Sequence, residues 1–168
     1  LIHRDISPDN IMLPKDGGIK LIDFGTVRYV DDSGKSKSTE AVLKPGFAPM
    51  EQYNTRGNLG TWTDVYAVCA SFHYLLTGKV PTDAPTRIEE GDTLPILESM
   101  PGISDRLVRI LKKGLSILPA NRIQTISSLY DLIYGNGKSN LLSEKKPDIP
   151  QKKRGSLKKV LLVGGAAA

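Results

Sequence analysis

The fold is decided by two stretches, His3-Arg4-Asp5-Ile6-Ser7-Pro8-Asp9-Asn10 and, shortly after, Asp23-Phe24-Gly25. Between them, Asn10 to Leu13 and Ile19 to Ile22 are short apolar runs that read as strands. Pro14-Lys15-Asp16-Gly17-Gly18 separates them as a turn. Paired as an antiparallel hairpin, the runs bring Asn10 and Asp23 to the same open end, on strands about 5 Å apart. A carboxylate and an amide oxygen then lie within reach of one hard cation. Mg²⁺ takes oxygen ligands and keeps phosphate and water in its shell. Asp5 lies on the loop leading into this end, where a carboxylate can accept a proton. Taken singly, an Asp or Asn near a turn is a turn former or a cap. The combined spacing is what argues for a site.

Working outward, residues 26–47 are polar with few apolar positions and read as a long loop, a length that goes with function or disorder. From Trp62 the period changes to that of a helix. Trp62, Val65, Tyr66, Val68, Cys69, Phe72, Leu75 and Leu76 make it apolar over much of its surface, which predicts a buried helix. Thr61 or Thr63 can cap its start and Gly78 ends it. A second stripe is Leu107, Ile110, Leu111 and Leu115, with Ser104 as N-cap. A third is Ile126, Leu129, Leu132 and Ile133, capped by Thr125 or Gln124 and stopped by Gly135.

The 168 residues are ample for one domain. Apolar residues at 39% and charged residues at 24% exclude wholesale disorder, collagen and a disulfide scaffold. The single Cys69 fits a reducing compartment. Net charge is +5, but Lys138, Lys145, Lys146, Lys152, Lys153, Arg154, Lys158 and Lys159 against Glu144 and Asp148 put +6 into residues 138–159. Residues 1–137 are left at −1, so no nucleic-acid partner is expected, because such a domain carries its charge on its folded part. Residues 138–159 read as a basic Pro/Lys/Ser linker. Residues 160–168 form an apolar tail, shorter than the roughly 20 residues of a membrane helix. Two readings of that tail stand: the start of a span beginning near Val160 with basic residues on its cytoplasmic side, or a disordered apolar tail. The chain opens on Leu1 without a start Met and with no signal peptide, which reads as a fragment.

His3 to Asn10 resembles the H-R-D-x-x-x-x-N catalytic loop of protein kinases, and Asp23-Phe24-Gly25 resembles their D-F-G motif. Lys44-Pro45-Gly46-Phe47-Ala48-Pro49-Met50-Glu51 is similar to the end of the activation segment, and Thr63-Asp64-Val65-Tyr66 to the start of the long helix of the C-terminal lobe. Leu118-Pro119-Ala120-Asn121-Arg122 is similar to the segment before the last helices. The resemblance runs over about residues 1–135, in the manner of bacterial, eukaryotic-like Ser/Thr kinases. It implies a mainly α fold with a small β-hairpin, an incomplete kinase-like C-terminal lobe over residues 1–137. It implies ATP and Mg²⁺ as cofactors and a protein substrate modified on Ser or Thr.

The resemblance also implies roles. Asp5 orients the substrate hydroxyl and takes its proton, and Asn10 and Asp23 hold Mg²⁺ on the ATP phosphates. Arg4 pairs with a phosphorylated loop residue among Ser33, Ser36, Ser38 and Thr39. Glu51 and Arg122 form a buried ion pair, Asp64 accepts hydrogen bonds from the catalytic-loop backbone, and His3 and Phe24 pack beneath the site. Asp64 is also what a helix N-terminus favours electrostatically. His73 and Cys69 read as core residues.

Departures from the pattern matter too. Ser7 stands where most Ser/Thr kinases carry a lysine facing the γ-phosphate, and Lys44 where the family has a threonine touching the catalytic Asp. Lys44 can therefore restore a positive charge near Asp5. No Gly-rich loop and no strand Lys with its Glu partner precede Leu1, so the chain by itself is expected to bind ATP weakly and to leave the Trp62–Leu76 helix partly exposed. The alternative function is a pseudokinase or scaffold lobe that binds partners without catalysis. A kinase dimer and an anionic membrane surface against residues 138–159 complete the expected partners. The lobe itself is expected to be cytoplasmic, with its parent anchored in the membrane.

Overall fold

The computed structural model describes residues 1–24, 43–54, 56–91 and 94–135. Gly25, the candidate phosphorylation sites, the basic linker and the apolar tail lie outside the described residues.

The chain is mainly helical with one small hairpin. A 3₁₀ turn, Pro8–Asn10, leads into β1 (Ile11–Met12), which pairs antiparallel with β2 (Lys20–Leu21) in the register Ile11↔Leu21 and Met12↔Lys20. Both strands are shorter than their apolar runs, because Leu13 and Ile19 fall at the exposed turn and make no ladder bonds. Helices α1 (Met50–Tyr53), α2 (Thr61–Thr77), α3 (Ala84–Glu90), α4 (Pro95–Ser99), α5 (Asp105–Gly114) and α6 (Ile126–Tyr134) follow.

The axis of the fold is α2, which packs against α4, α5 and α6. Val65, Tyr66, Cys69 and Ala70 recur at helical spacing on its inner face and are wholly buried against Ile110, Leu111, Leu115, Leu129 and Leu132. At Gly114 α5 packs tightly on α2, for a side-chain carbon there would run into Cys69 Sγ. Burial pushes the Cys69 thiol up to about 12, so it stays an inert core group.

The capping signals resolve individually. Gly60, rather than Thr61 or Thr63, is the N-cap of α2. Thr63 serves the cap from inside the helix, its Oγ1 accepting the Gly60 N–H at 3.2 Å. Gly78 closes α2 in the left-handed conformation at φ 68°, and Ser104 and Thr125 cap α5 and α6 through their hydroxyls.

As expected of the Trp62–Leu76 helix, α2 is partly exposed: Phe72 and Tyr74 are partly open and Leu75 is 67% exposed, so the helix is buried along its inner face and not all round. One further expectation is corrected. Ile126 is 45% exposed, because it opens α6 at the edge of the bundle, ahead of the turn that faces α2. Among the described residues no helix is long and apolar enough to cross a membrane.

Candidate active site

The His3–Asn10 loop is clamped to the helical body through its backbone. Asp64, in the first turn of α2, accepts the His3 N–H on Oδ2 at 2.8 Å and the Arg4 N–H on Oδ1 at 2.9 Å. Gln52 Nε2 donates to the Arg4 carbonyl at 2.8 Å. Both main-chain polar groups of Arg4 are thus fixed, and Arg4 is held at φ 71°. A left-handed non-glycine residue costs about 1–3 kcal/mol and persists only where its surroundings over-determine it. Arg4 meets that condition. Gln52 escaped the sequence reading: its only signal is its place beside Glu51.

Asp5 follows directly, half-buried. Asn10 closes the loop onto it, with Nδ2 donating to the Asp5 carbonyl at 2.7 Å and to Asp5 Oδ2 at 2.8 Å. The Asn10 amide nitrogen is committed to Asp5, which leaves its oxygen as the acceptor of that side chain. The Asn10 carbonyl accepts the Ile22 N–H at 2.9 Å, continuing the β1–β2 ladder, and Asp23 comes next at φ 60°. The hairpin therefore delivers Asn10 and Asp23 to one end of the molecule, with Asp23 exposed. An amide oxygen and a carboxylate are hard donors and suit Mg²⁺. Among the described residues no group of three or more His, Cys, Asp and Glu side chains is placed to hold a metal.

Phe24 meets the buried His3 ring edge-on, with centroids 4.8 Å apart at 64°. Phe24 itself is 55% exposed.

Lys44 reaches the loop from the other side. Its Nζ donates to Ser7 Oγ at 2.9 Å and lies 3.7 Å from both Asp5 Oδ1 and Asp9 Oδ2.

Behind the loop, Glu51 on α1 and Arg122, delivered by the 3₁₀ turn Pro119–Asn121, form a buried ion pair. Arg122 Nη1 reaches Glu51 Oε1 at 2.6 Å and Nη2 reaches Oε2 at 3.2 Å. The remaining Arg122 donors go to the carbonyls of Trp62, Ser116 and Ile117, so all five N–H groups are used. The guanidinium also lies over the Tyr66 ring, 5.0 Å from its centroid. His73 has the partner that its apolar surroundings in the sequence hid: Nδ1 donates to the Lys79 carbonyl at 3.0 Å.

The family description "Protein kinase domain" matches residues 1–131. The chain belongs to the protein kinase family. It is 32% identical over 139 residues to the "Serine/threonine-protein kinase PknA" of Nostoc sp., a match covering 79% of this chain and 24% of that protein. It is 30% identical over 136 residues to the "Serine/threonine-protein kinase PknB" of Mycobacterium tuberculosis, covering 77% of this chain and 22% of that kinase. The chain thus spans about a quarter of the length of these curated relatives. A solved structure titled "PpkA-294 apo form" superposes with a TM-score of 0.62 at 39% identity, over 78% of this chain and 46% of that one. The mainly α lobe with its hairpin is accordingly part of a kinase fold.

Proposed function

We propose that this chain is the catalytic-loop part of a Ser/Thr protein kinase, which transfers the terminal phosphoryl group of ATP, with Mg²⁺, to Ser or Thr hydroxyls of protein substrates. The observation that carries this reading is the double hydrogen bond from Asn10 Nδ2 to the carbonyl and carboxylate of Asp5. It immobilises the proposed base and commits the amide nitrogen, so that the Asn10 oxygen serves as a ligand. The same Asp5–Asn10 unit sits one ladder step from Asp23.

In this mechanism Asp5 orients the substrate hydroxyl and takes its proton as the oxygen attacks. Asn10 and Asp23 would hold Mg²⁺, which when bound with ATP would neutralise charge on the transferring phosphoryl group. Asp64 and Gln52 fix the His3 and Arg4 backbone that leads into Asp5, which matters because phosphoryl transfer is catalysed by positioning together with electrostatic stabilisation. The Arg4 side chain would receive a phosphorylated residue of the 26–47 segment, ordering it by charge-assisted hydrogen bonds. The charge pattern supports residues 138–159 as a linker that meets an anionic membrane surface, with an anchor from Val160 onward.

The test is Mg²⁺-dependent phosphate transfer from ATP by the full-length product of the reading frame that contains this chain, with Asp5→Asn beside it. Asp5→Asn should lower the rate by about 10²–10⁴-fold, the usual worth of a positioned base. Equal rates in the two proteins would exclude Asp5 as the base. An inactive parent that also fails to bind ATP would point to a scaffold lobe.

A further inference from the structure

Ser7 occupies the cap position of the 3₁₀ turn Pro8–Asn10, yet its side chain makes no cap hydrogen bond. A serine at such a position ordinarily accepts a backbone N–H. Here the hydroxyl, wholly buried, takes the Lys44 ammonium instead, at 2.9 Å. That one bond pins a cation from a segment thirty-seven residues away in the chain onto the catalytic loop. The ammonium then stands 3.7 Å from the Asp5 carboxylate, and 3.7 Å from Asp9. Asp9 is largely exposed and water weakens its pull, whereas Asp5 is mostly shielded, so Asp5 is the partner that matters. Lys44 itself stays about one-third exposed, so its remaining N–H donors can reach a ligand in the cleft.

We propose that Lys44 is a catalytic residue of the phosphoryl transfer, the cation that meets the transferring phosphoryl group beside Asp5, and that Ser7 is its positioning residue. This rests on the kinase reading above. A positive charge there counters the repulsion between Asp5 and the incoming phosphate and stabilises the charge spread over the transferring oxygens. Ser7 and Lys44 together supply one hydroxyl and one ammonium, and the chemistry is indifferent to which chain segment carries which. A lysine at position 7 would compete with Lys44 for the same buried spot, so the two cations exclude each other.

The test uses the full-length product with Lys44→Met, Ser7→Lys and the double variant Ser7→Lys/Lys44→Thr. Rates are measured alongside calorimetric binding of Mg²⁺-ADP, with and without aluminium fluoride as a mimic of the phosphoryl group in flight. Lys44→Met should lower kcat by about 10²–10³-fold, as loss of one transition-state donor does. KM for ATP should change by no more than about threefold. The fluoride complex should bind correspondingly more weakly while ADP alone binds as before. The double variant should recover most of the lost rate, and Ser7→Lys alone should fall below it. Parallel changes in kcat and KM, unchanged fluoride affinity, or a double variant no better than Lys44→Met would each overturn the proposal. Circular dichroism checks folding, and if Lys44→Met does not fold, the double variant carries the test. An active wild type indifferent to Lys44→Met removes this proposal alone. An inactive wild type that binds no Mg²⁺-ATP removes the kinase reading and this proposal with it.

Discussion

Around α2, the side chains of Val65, Tyr66, Cys69, Leu111 and Leu115 lie wholly out of water, while Asp9, Asp23 and Phe24 on the other side of the chain face it. The helical region is held by area: apolar stripes on α2, α5 and α6 close on one another. The catalytic loop buries Ile2, His3 and Ile6, but these stand outside the apolar cluster of the helices. It is held in place by a few polar links: from the helices, Asp64 to the His3 and Arg4 N–H groups and Gln52 to the Arg4 carbonyl, and from the segment ahead of α1, Lys44 to Ser7. Apolar packing is non-directional and fixes a body. Hydrogen bonds are directional and fix a geometry, which is what a base and a metal site require. The two regions join at α1, where Gln52 reaches the Arg4 carbonyl and the adjacent Glu51 pairs with Arg122 inside the apolar body.

That junction should give the largest response. Glu51→Gln leaves the Arg122 guanidinium buried without its counter-ion and should cost about 3–5 kcal/mol in urea unfolding. A loss below about 1 kcal/mol, typical of surface pairs, would show that water reaches the junction and that the two regions are less distinct than drawn.

A smaller and more local effect is expected at the clamp. Asp64→Asn presents an amide where two backbone N–H groups need an acceptor, at about 1–3 kcal/mol. Amide exchange should speed up at His3 and Arg4 while Leu111 and Leu132 keep their protection. Equal loss of protection in the helices would merge the two regions into one cooperative unit.

The smallest effect belongs to His73. Burial holds its imidazole below the usual 6.5, the Lys79 carbonyl bond pulling the other way and the Arg87 charge adding to the depression. The unfolded chain therefore takes up the proton first. Stability from this group is complete above pH 6.5 and declines as pH falls below it, toward the folded-state value. Thermal melts of His73→Gln should show a flatter decline over that window than the wild type. Identical slopes would place the acid sensitivity elsewhere.

Much of this was legible in the residues. The α5 stripe from Leu107 to Leu115, with Ser104 as its cap, follows from spacing and hydroxyl chemistry, and so does the end of α2 at Gly78. The hairpin was legible too, although Leu13 and Ile19 made its strands look longer than their pairing allows. The open outer face of α2 was harder. Phe72 and Leu75 carry the same apolar signature as Val65 and Cys69, and composition alone cannot say which face finds a partner. Gln52 carried no signal, because an amide that braces one carbonyl resembles any other polar residue.

The sequence by itself determined the order of elements, their periods and caps, and the spacing of Asp5, Asn10 and Asp23, because these depend on neighbours a few residues apart. The family resemblance named some of the polar groups that meet across the chain, but no local pattern did, and the tertiary structure decided which atoms meet. Asp64 reaches His3 over 61 residues, Arg122 reaches Glu51 over 71, and Lys44 reaches Ser7 over 37. Those distances depend on the path of the backbone around a packed core, and no local pattern encodes a path.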